Sequence, residues 1–276
     1  MTTVNESQQK VALVTGASSG IGEAIGRQLA EAGYYVFGGS RRGTVAGGRS
    51  AEGLILDVTD DASVKAGVDK VLQRSGRIDV LVNAAGFGVA GANEESSMAQ
   101  AHAIFETNFF GILRLTNAVL PAMRAQGFGR VVNISSLLGL FPAPFNGLYC
   151  ATKHALEAYS ESLDQEVSGF GVRVVLIEPG FVKTAIAEAG QAADSPLSVY
   201  DGPRARVQQA VIEMVSAAPG PEIVAKVVLD AIAAKAPHTR YAVGGGAKLV
   251  AALRRFIPRR IFAARLRKLF GVDDKS

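Results

Sequence analysis

Cysteine, histidine and long apolar runs are scarce in this 276-residue sequence, and each scarcity excludes a class of protein. The one cysteine, Cys150, cannot build an internal disulfide framework and fits a reducing compartment. The three histidines, His102, His154 and His238, form no zinc-binding pattern, so no metal is expected. No stretch reaches the roughly 18 uninterrupted apolar residues that a membrane-crossing helix needs. The opening MTTVNESQQK is polar and lacks the apolar segment of a secretory signal, so the expected location is the cytoplasm. Net charge is only +4, too little on its own to indicate a nucleic-acid partner.

Apolar residues make up 48% of the chain and charged ones 20%, a globular composition with enough material for a sizeable core. The charge is uneven. Between Pro237 and Ser276 ten Lys and Arg face two Asp, so this tail carries +8 and the remainder −4. That asymmetry assigns the tail a different task from the body.

Short apolar runs alternate with helical patterns. Strands are expected at Val11 to Val14, Tyr34 to Gly39, Gly53 to Val58, Ile78 to Asn83, Gly129 to Ser135 and Val172 to Pro179. Between them, helices are expected from Gly20 to Gly33, from Asp61 to Arg74, in one long stretch from Glu95 to Gln126, and from Gly147 to Ser168. Strands with no polar alternation are buried on both faces, which points to an α/β fold with a doubly wound parallel sheet in a single domain spanning 1–276. Ligands of such a sheet bind at the C-terminal ends of its strands.

The first strand runs into Thr15-Gly16-Ala17-Ser18-Ser19-Gly20-Ile21-Gly22. Glycines at 16, 20 and 22 permit a tight turn and close approach of a diphosphate, and the following helix would aim its amides and positive dipole end at it. The spacing is G-x3-G-x-G, not G-x-G-x-x-G. Tyr149 and Lys153 lie four apart on a helical stretch and so share a face. An ammonium beside a phenol favours the phenolate, so the tyrosine pKa is expected to fall from its usual value near 10, suiting it to carbonyl–alcohol proton transfer.

Taken in order, TGASSGIG, NAAG at 83–86, Ser136 with Tyr149-x-x-x-Lys153, and PGFVKT at 179–184 resemble the short-chain dehydrogenase/reductase family over most of the chain. The resemblance implies a Rossmann-type sheet of about seven strands and an oxidoreductase acting on CH–OH groups. It implies Tyr149 and Lys153 as the catalytic pair and Ser136, thirteen residues before the tyrosine, as the group that hydrogen-bonds substrate oxygen, with Ser135 the neighbouring alternative. Asn108, in TNFFG, matches the family asparagine that holds a water in the proton relay. The cofactor set so implied comprises Gly16, Ser18, Ser19, Gly20, Ile21 and Gly22 at the diphosphate, Ser40 and Arg41 after the second strand, and Asp57 and Val58 at the adenine. Asn83, Ala84 and Gly86 border the ribose; Pro179, Gly180, Val182 and Thr184 reach the nicotinamide, with Tyr149 and Lys153 beside it.

The second strand ends Gly39-Ser40-Arg41-Arg42, without the acid that would bond a ribose 2′-hydroxyl. Arg41 can meet a 2′-phosphate, so NADP(H) is expected, with NAD(H) the alternative. Leu137, Leu138, Phe141 and Phe145 follow the serine and fit either an apolar pocket or core. With the YCATKHALEAYSESL stretch they resemble the branch of the family acting on steroid- and retinoid-like carbonyls, which implies a small lipophilic carbonyl or alcohol as substrate. The segment at about 185–217 corresponds to the family's substrate lid. Family members form homodimers or homotetramers through the Glu95–Gln126 and Gly147–Ser168 helices.

From 245 to 270 apolar residues alternate with arginines, and Pro258 divides the run into two helices. A membrane-surface contact, a flap over the substrate crevice and a subunit contact compete there, beside a solvated basic helix covering the core. Two other function classes stand against the oxidoreductase. A catalytically silent nucleotide sensor need not keep Asn108, Ser136, Tyr149 and Lys153. A lyase or epimerase of the extended relatives is disfavoured by the glycine spacing and modest C-terminal region.

Overall fold

Period-two burial organises the sheet: Leu13 joins one apolar layer while its neighbours Ala12 and Val14 join the other. The computed structural model describes residues 9–45, 48–183 and 190–272. In chain order they form β1 (Val11–Thr15), α1 (Gly20–Glu31), β2 (Tyr35–Ser40), β3 (Ala51–Ile55), α2 (Asp61–Ser75), β4 (Val80–Asn83) and β5 (Val89–Ala90). Then come α3 (Met98–Phe105), α4 (Gly111–Gln126), β6 (Gly129–Ile134), α5 (Gly147–Val167), β7 (Val172–Pro179) and β8 (Gln191–Ala192). The described chain ends with α6 (Asp201–Ser216), α7 (Glu222–Ala233), β9 (Arg240–Val243), α8 (Ala247–Phe256) and α9 (Arg259–Leu269).

Seven strands pair in the order β3-β2-β1-β4-β6-β7-β9, every pair parallel. This is the Rossmann-type doubly wound sheet that the alternation predicts. One apolar layer joins the sheet to Val64, Val68 and Val71 of α2, Leu115, Val119 and Met123 of α4, and Leu163 and Val167 of α5. The other joins it to Ile25 and Leu29 of α1 and Val224, Val228 and Ile232 of α7. Each such side chain, fully buried, stabilises the fold by about 1.5–3 kcal/mol. Strand order reverses between β1 and β4, which opens a crevice at their C-terminal ends.

Several elements differ from the sequence expectation. The long helix divides into α3 and α4 around a π-turn at Glu106–Phe110, where the Gly111 N–H reaches back five residues to the Glu106 carbonyl. Its start moves to Met98 because Ser97 caps α3, accepting the Gln100 N–H at 3.1 Å. β3 ends at Ile55, and beyond it Asp57 folds back on itself, accepting the Thr59 N–H at 2.9 Å. The edge strand β9 and the ribbon of β5 with β8 have no counterpart in the expected strands.

Candidate active site

The turn after β1 leaves no room for a side chain at position 16 or 22. Gly16 has φ +65°, and a Cβ there would lie 2.9 Å from the Ala84 carbonyl oxygen; a Cβ on Gly22 would lie 2.4 Å from the Gly16 oxygen. Thr15 Oγ1 accepts the N–H groups of Ala84 (3.1 Å) and Ala85 (3.2 Å), tying the glycine turn to the backbone after β4. Ser19, N-cap of α1, spends no side-chain bond on the helix. The first amides of Gly20, Ile21 and Gly22 therefore have no cap from it and can receive an anion along the helix dipole. Ser18 is half-buried beside them.

At the end of β2 the Ser40 hydroxyl is used locally, accepting the Thr44 N–H at 3.1 Å. Arg41 and Arg42 are exposed. Asp57 is held below its usual carboxylate value, first by the Thr59 N–H and also by the nearby Arg41 charge, and the adjacent Val58 is buried. Asn83 follows at the end of β4. Its side chain points into the protein, donating to Asn133 Oδ1 (2.8 Å) and Thr116 Oγ1 (3.3 Å), so it can meet a nucleotide only through its backbone. Asn133 in turn donates to Ser160 Oγ at 2.9 Å, and this buried polar ladder locks β4 and β6 to α5.

Tyr149 and Lys153 project from α5 as their spacing requires, with Lys153 Nζ 5.6 Å from the tyrosine ring centroid. Nζ donates to the Ile134 carbonyl at the end of β6 (2.8 Å). Burial pulls its pKa down to about 8, with Glu157 opposing. The tyrosine reverses the sequence expectation. Burial pushes its phenol up to about 12, outweighing a hydrogen bond with Ser136 that acts downward. The two serines divide their work: Ser136 faces Tyr149 and accepts the Leu138 N–H (3.1 Å), whereas Ser135 donates to Glu157 Oε1.

Asn108 sits fully buried in the π-turn. Its side chain accepts the Phe87 N–H (3.0 Å), donates to the Phe87 carbonyl (2.8 Å) and reaches Thr152 Oγ1 (3.3 Å). The side chain thus clamps the loop after Gly86 to α5. At the end of β7, Pro179 and Gly180 lie on the same rim as Gly16, Ala84 and Ser136, the Gly180 N–H bonding the Val243 carbonyl (2.8 Å), and Val182 is buried. Thr184 lies outside the described residues.

Sequence reasoning passed over a second network behind the pair. Glu157, one helical step beyond Lys153 in the 149–153–157 series, pairs through Oε2 with Arg240 Nη1, and Nη1 also meets Glu178 Oε1 at 2.8 Å. The four-residue spacing could have found Glu157. Arg240 comes from β9, distant in sequence, and no local signal marks it. Cys150 is buried, accepting the Ala143 N–H at its sulfur, and is a packing residue, whereas His154 is exposed on the surface of α5 with Nδ1 2.8 Å from the Cys150 carbonyl. Among the described residues no group of three His, Cys, Asp or Glu is placed to hold a metal.

At the substrate end, Leu138, Ala143 and Phe145 pack with Val207, Val211 and Met214 of α6 and with Leu266 and Phe270 at the C-terminus. Phe145 holds φ at +58°, a strained value for a bulky residue, and its ring meets Tyr200 edge-on at 6.0 Å. Glu95, fully buried, anchors the segment leading to α6 by accepting the Leu197 N–H at 2.8 Å and pairing with Arg204 at 3.1 Å.

A family model described as short chain dehydrogenase matches residues 10–194. A 3-ketodihydrosphingosine reductase from Bacteroides thetaiotaomicron is 40% identical over 181 residues, covering 66% of this chain and 67% of that protein. The crystal structure of a short-chain dehydrogenase from Streptomyces avermitilis is similar at a TM-score of 0.81 and 36% identity, over 96% of this chain and all (100%) of the other. A short-chain dehydrogenase/reductase from Burkholderia phymatum, solved with NAD, gives 0.76 at 25% identity, over 95% of this chain and 97% of its own. A metagenomic short-chain oxidoreductase, solved with NADP, gives 0.68 at 30% identity, over 86% of this chain and 98% of its own.

Proposed function

This chain belongs to the short-chain dehydrogenase/reductase family and is an oxidoreductase taking a nicotinamide cofactor, and on that premise we propose that it interconverts a lipophilic ketone and its secondary alcohol using NADP(H), with Tyr149 as general acid and base. The observation carrying this reading is the Lys153 ammonium 5.6 Å from the Tyr149 ring, with Ser136 facing the phenol. The dinucleotide fits a turn where a Cβ would fill the space, beside helix amides that Ser19 leaves uncapped. Gly16 to Gly22 would hold the diphosphate with Ser18 and Ser19, and Ser40 and Arg41 the 2′-phosphate. Asp57 and Val58 flank the adenine, the backbone of Asn83, Ala84 and Gly86 the ribose, and Pro179, Gly180, Val182 and Thr184 the nicotinamide. When bound, the nicotinamide supplies or takes the hydride. Ser136 orients the substrate oxygen, Tyr149 gives it a proton, and Lys153 stabilises the phenolate left behind.

The apolar cluster of Leu138, Phe145, Val207, Met214 and Phe270 beside the Ser136 loop supports a lipophilic substrate, as does a relative named for the reduction of 3-ketodihydrosphingosine. Residues 1–276 act as one catalytic domain, with 185–217 as its lid and subunit contacts through α3–α4 and α5, in a cytoplasmic homodimer or homotetramer that light scattering would detect. Following NADPH oxidation across a series of ketones of rising hydrophobicity tests the reading; kcat/KM should climb along the series. Preference for small polar ketones would exclude the lipophilic site, and no turnover with any of them would favour the silent sensor.

Exposed Arg41 at the end of β2, with no acid in its place, supports a preference for NADPH of about tenfold or more in kcat/KM. Arg41→Ala should erase most of it; a wild-type preference for NADH would defeat the assignment. A pH effect also follows from Lys153. Its ammonium is lost near pH 8, so kcat/KM for ketone reduction should fall as pH rises through about 8. A profile flat from about pH 7 to about pH 10 would show that this charge is not needed.

A further inference from the structure

We infer that α8 and α9 dock this protein on an anionic lipid surface. Residues 247–270 contain eight Lys and Arg and no acid. The same two helices expose large apolar side chains: Phe256 is 79% exposed, Leu249 61%, Leu269 55% and Ile261 54%. Leu249 and Phe256, seven apart, share one face of α8, and Ile261 and Leu269 share one face of α9. A neighbouring stripe of α9 is already committed to the protein. Phe262 meets Phe141 at 5.3 Å, and Leu266 and Phe270 join the cluster of Ala143 and Val207. Because that stripe fixes the helix, the adjoining apolar face cannot roll inward to hide. Leu249 also borders an open cleft of about 560 Å³ walled by Ile223, Val227 and Val243 with Lys226 and Asp230, which extends the mainly apolar surface beyond the helix.

Arginines rimming exposed leucine, isoleucine and phenylalanine match the boundary of a bilayer, where anionic headgroups lie just above hydrocarbon. A second copy of the chain is a poor occupant, since it would set these two acid-free basic helices against themselves. A nucleic acid would engage the arginines and leave the four apolar side chains in water. The inference stands apart from the catalytic reading, because it concerns the outward face of the helices and not the pocket.

The test is flotation of the full-length protein with phosphatidylcholine vesicles, with and without phosphatidylserine, at low and high salt. Two variants accompany it: Phe256→Gln with Ile261→Gln, and Arg259→Glu with Arg260→Glu. All four positions are exposed, so circular dichroism should show intact folding and turnover of a water-soluble ketone should be unchanged. The wild type should bind serine-containing vesicles about tenfold more than neutral ones, binding should weaken with salt, and each variant should lose about tenfold. Equal binding to both vesicle types, no binding to either, or undiminished binding by the variants would overturn the inference. So would loss of a dimer in the variants without vesicle binding by the wild type, or tighter binding to duplex DNA than to vesicles.

Discussion

Tyr149→Phe is expected to lower kcat for ketone reduction by roughly 10²–10⁴-fold while leaving the affinity for NADPH unchanged. Phenylalanine keeps the ring over which Lys153 Nζ sits at 5.6 Å and removes only the hydroxyl that Ser136 faces. The packing of α5 is preserved, so the loss is one of proton transfer. With burial holding the phenol up at about 12, the resting group carries its proton and is a competent acid toward a ketone oxygen. What the site must supply is a stable home for the phenolate formed, and the Lys153 ammonium, still charged below about pH 8, stands beside it. Ser136→Ala should cost less, about 10²–10³-fold, because it removes one donor to the developing oxyanion and leaves the acid in place. Stopped-flow turnover with NADPH titrations in parallel checks both. Turnover undiminished in Tyr149→Phe would end the enzymatic assignment.

What could be read from sequence was whatever local backbone geometry or helical spacing demands. Gly16 and Gly22 are glycines because any Cβ would strike the backbone of Ala84 or Gly16, and that requirement is visible as a motif. Tyr149 and Lys153 face one another because four residues make about one helical turn. Features set by distant packing were not legible. Asn83 ends a strand in a motif associated with nucleotides, yet which way its amide points is decided by Asn133, its register partner on β6. The π-turn around Asn108 inserts one extra residue into an apparently continuous helical pattern, and its apolar periodicity hardly changes. β9 is four residues long, half-buried over its first three, and begins with an arginine, so it carries no apolar run to announce a strand. That same arginine holds the network behind the catalytic pair.

Arg240→Ala should therefore destabilise the protein by about 3–5 kcal/mol at neutral or higher pH, the cost of leaving buried charge without its partner. Nη1 serves both Glu157 and Glu178, and Nε meets Glu161 at 2.7 Å. The side chains of Glu157 and Glu178 are only 6% and 3% exposed, so water cannot replace the guanidinium. Burial already raises Glu157 to about 7 and raises Glu178, even with Arg240 present. For a carboxyl raised in the fold, the stabilising contribution is complete below its unfolded value and is lost as pH rises through the folded one. Without Arg240 both carboxyls shift further up, so the variant's deficit should grow with pH, small near about pH 5 and largest above about pH 8. Urea unfolding of both proteins at those two values measures it; equal deficits would show that charge is not the cause. Adding Glu157→Gln to Arg240→Ala should recover part of the stability at high pH, since a neutral amide replaces the stranded carboxylate. Activity should fall as well, because Glu157 holds the Ser135 hydroxyl and Ser135 sets the backbone from which Ser136 faces Tyr149.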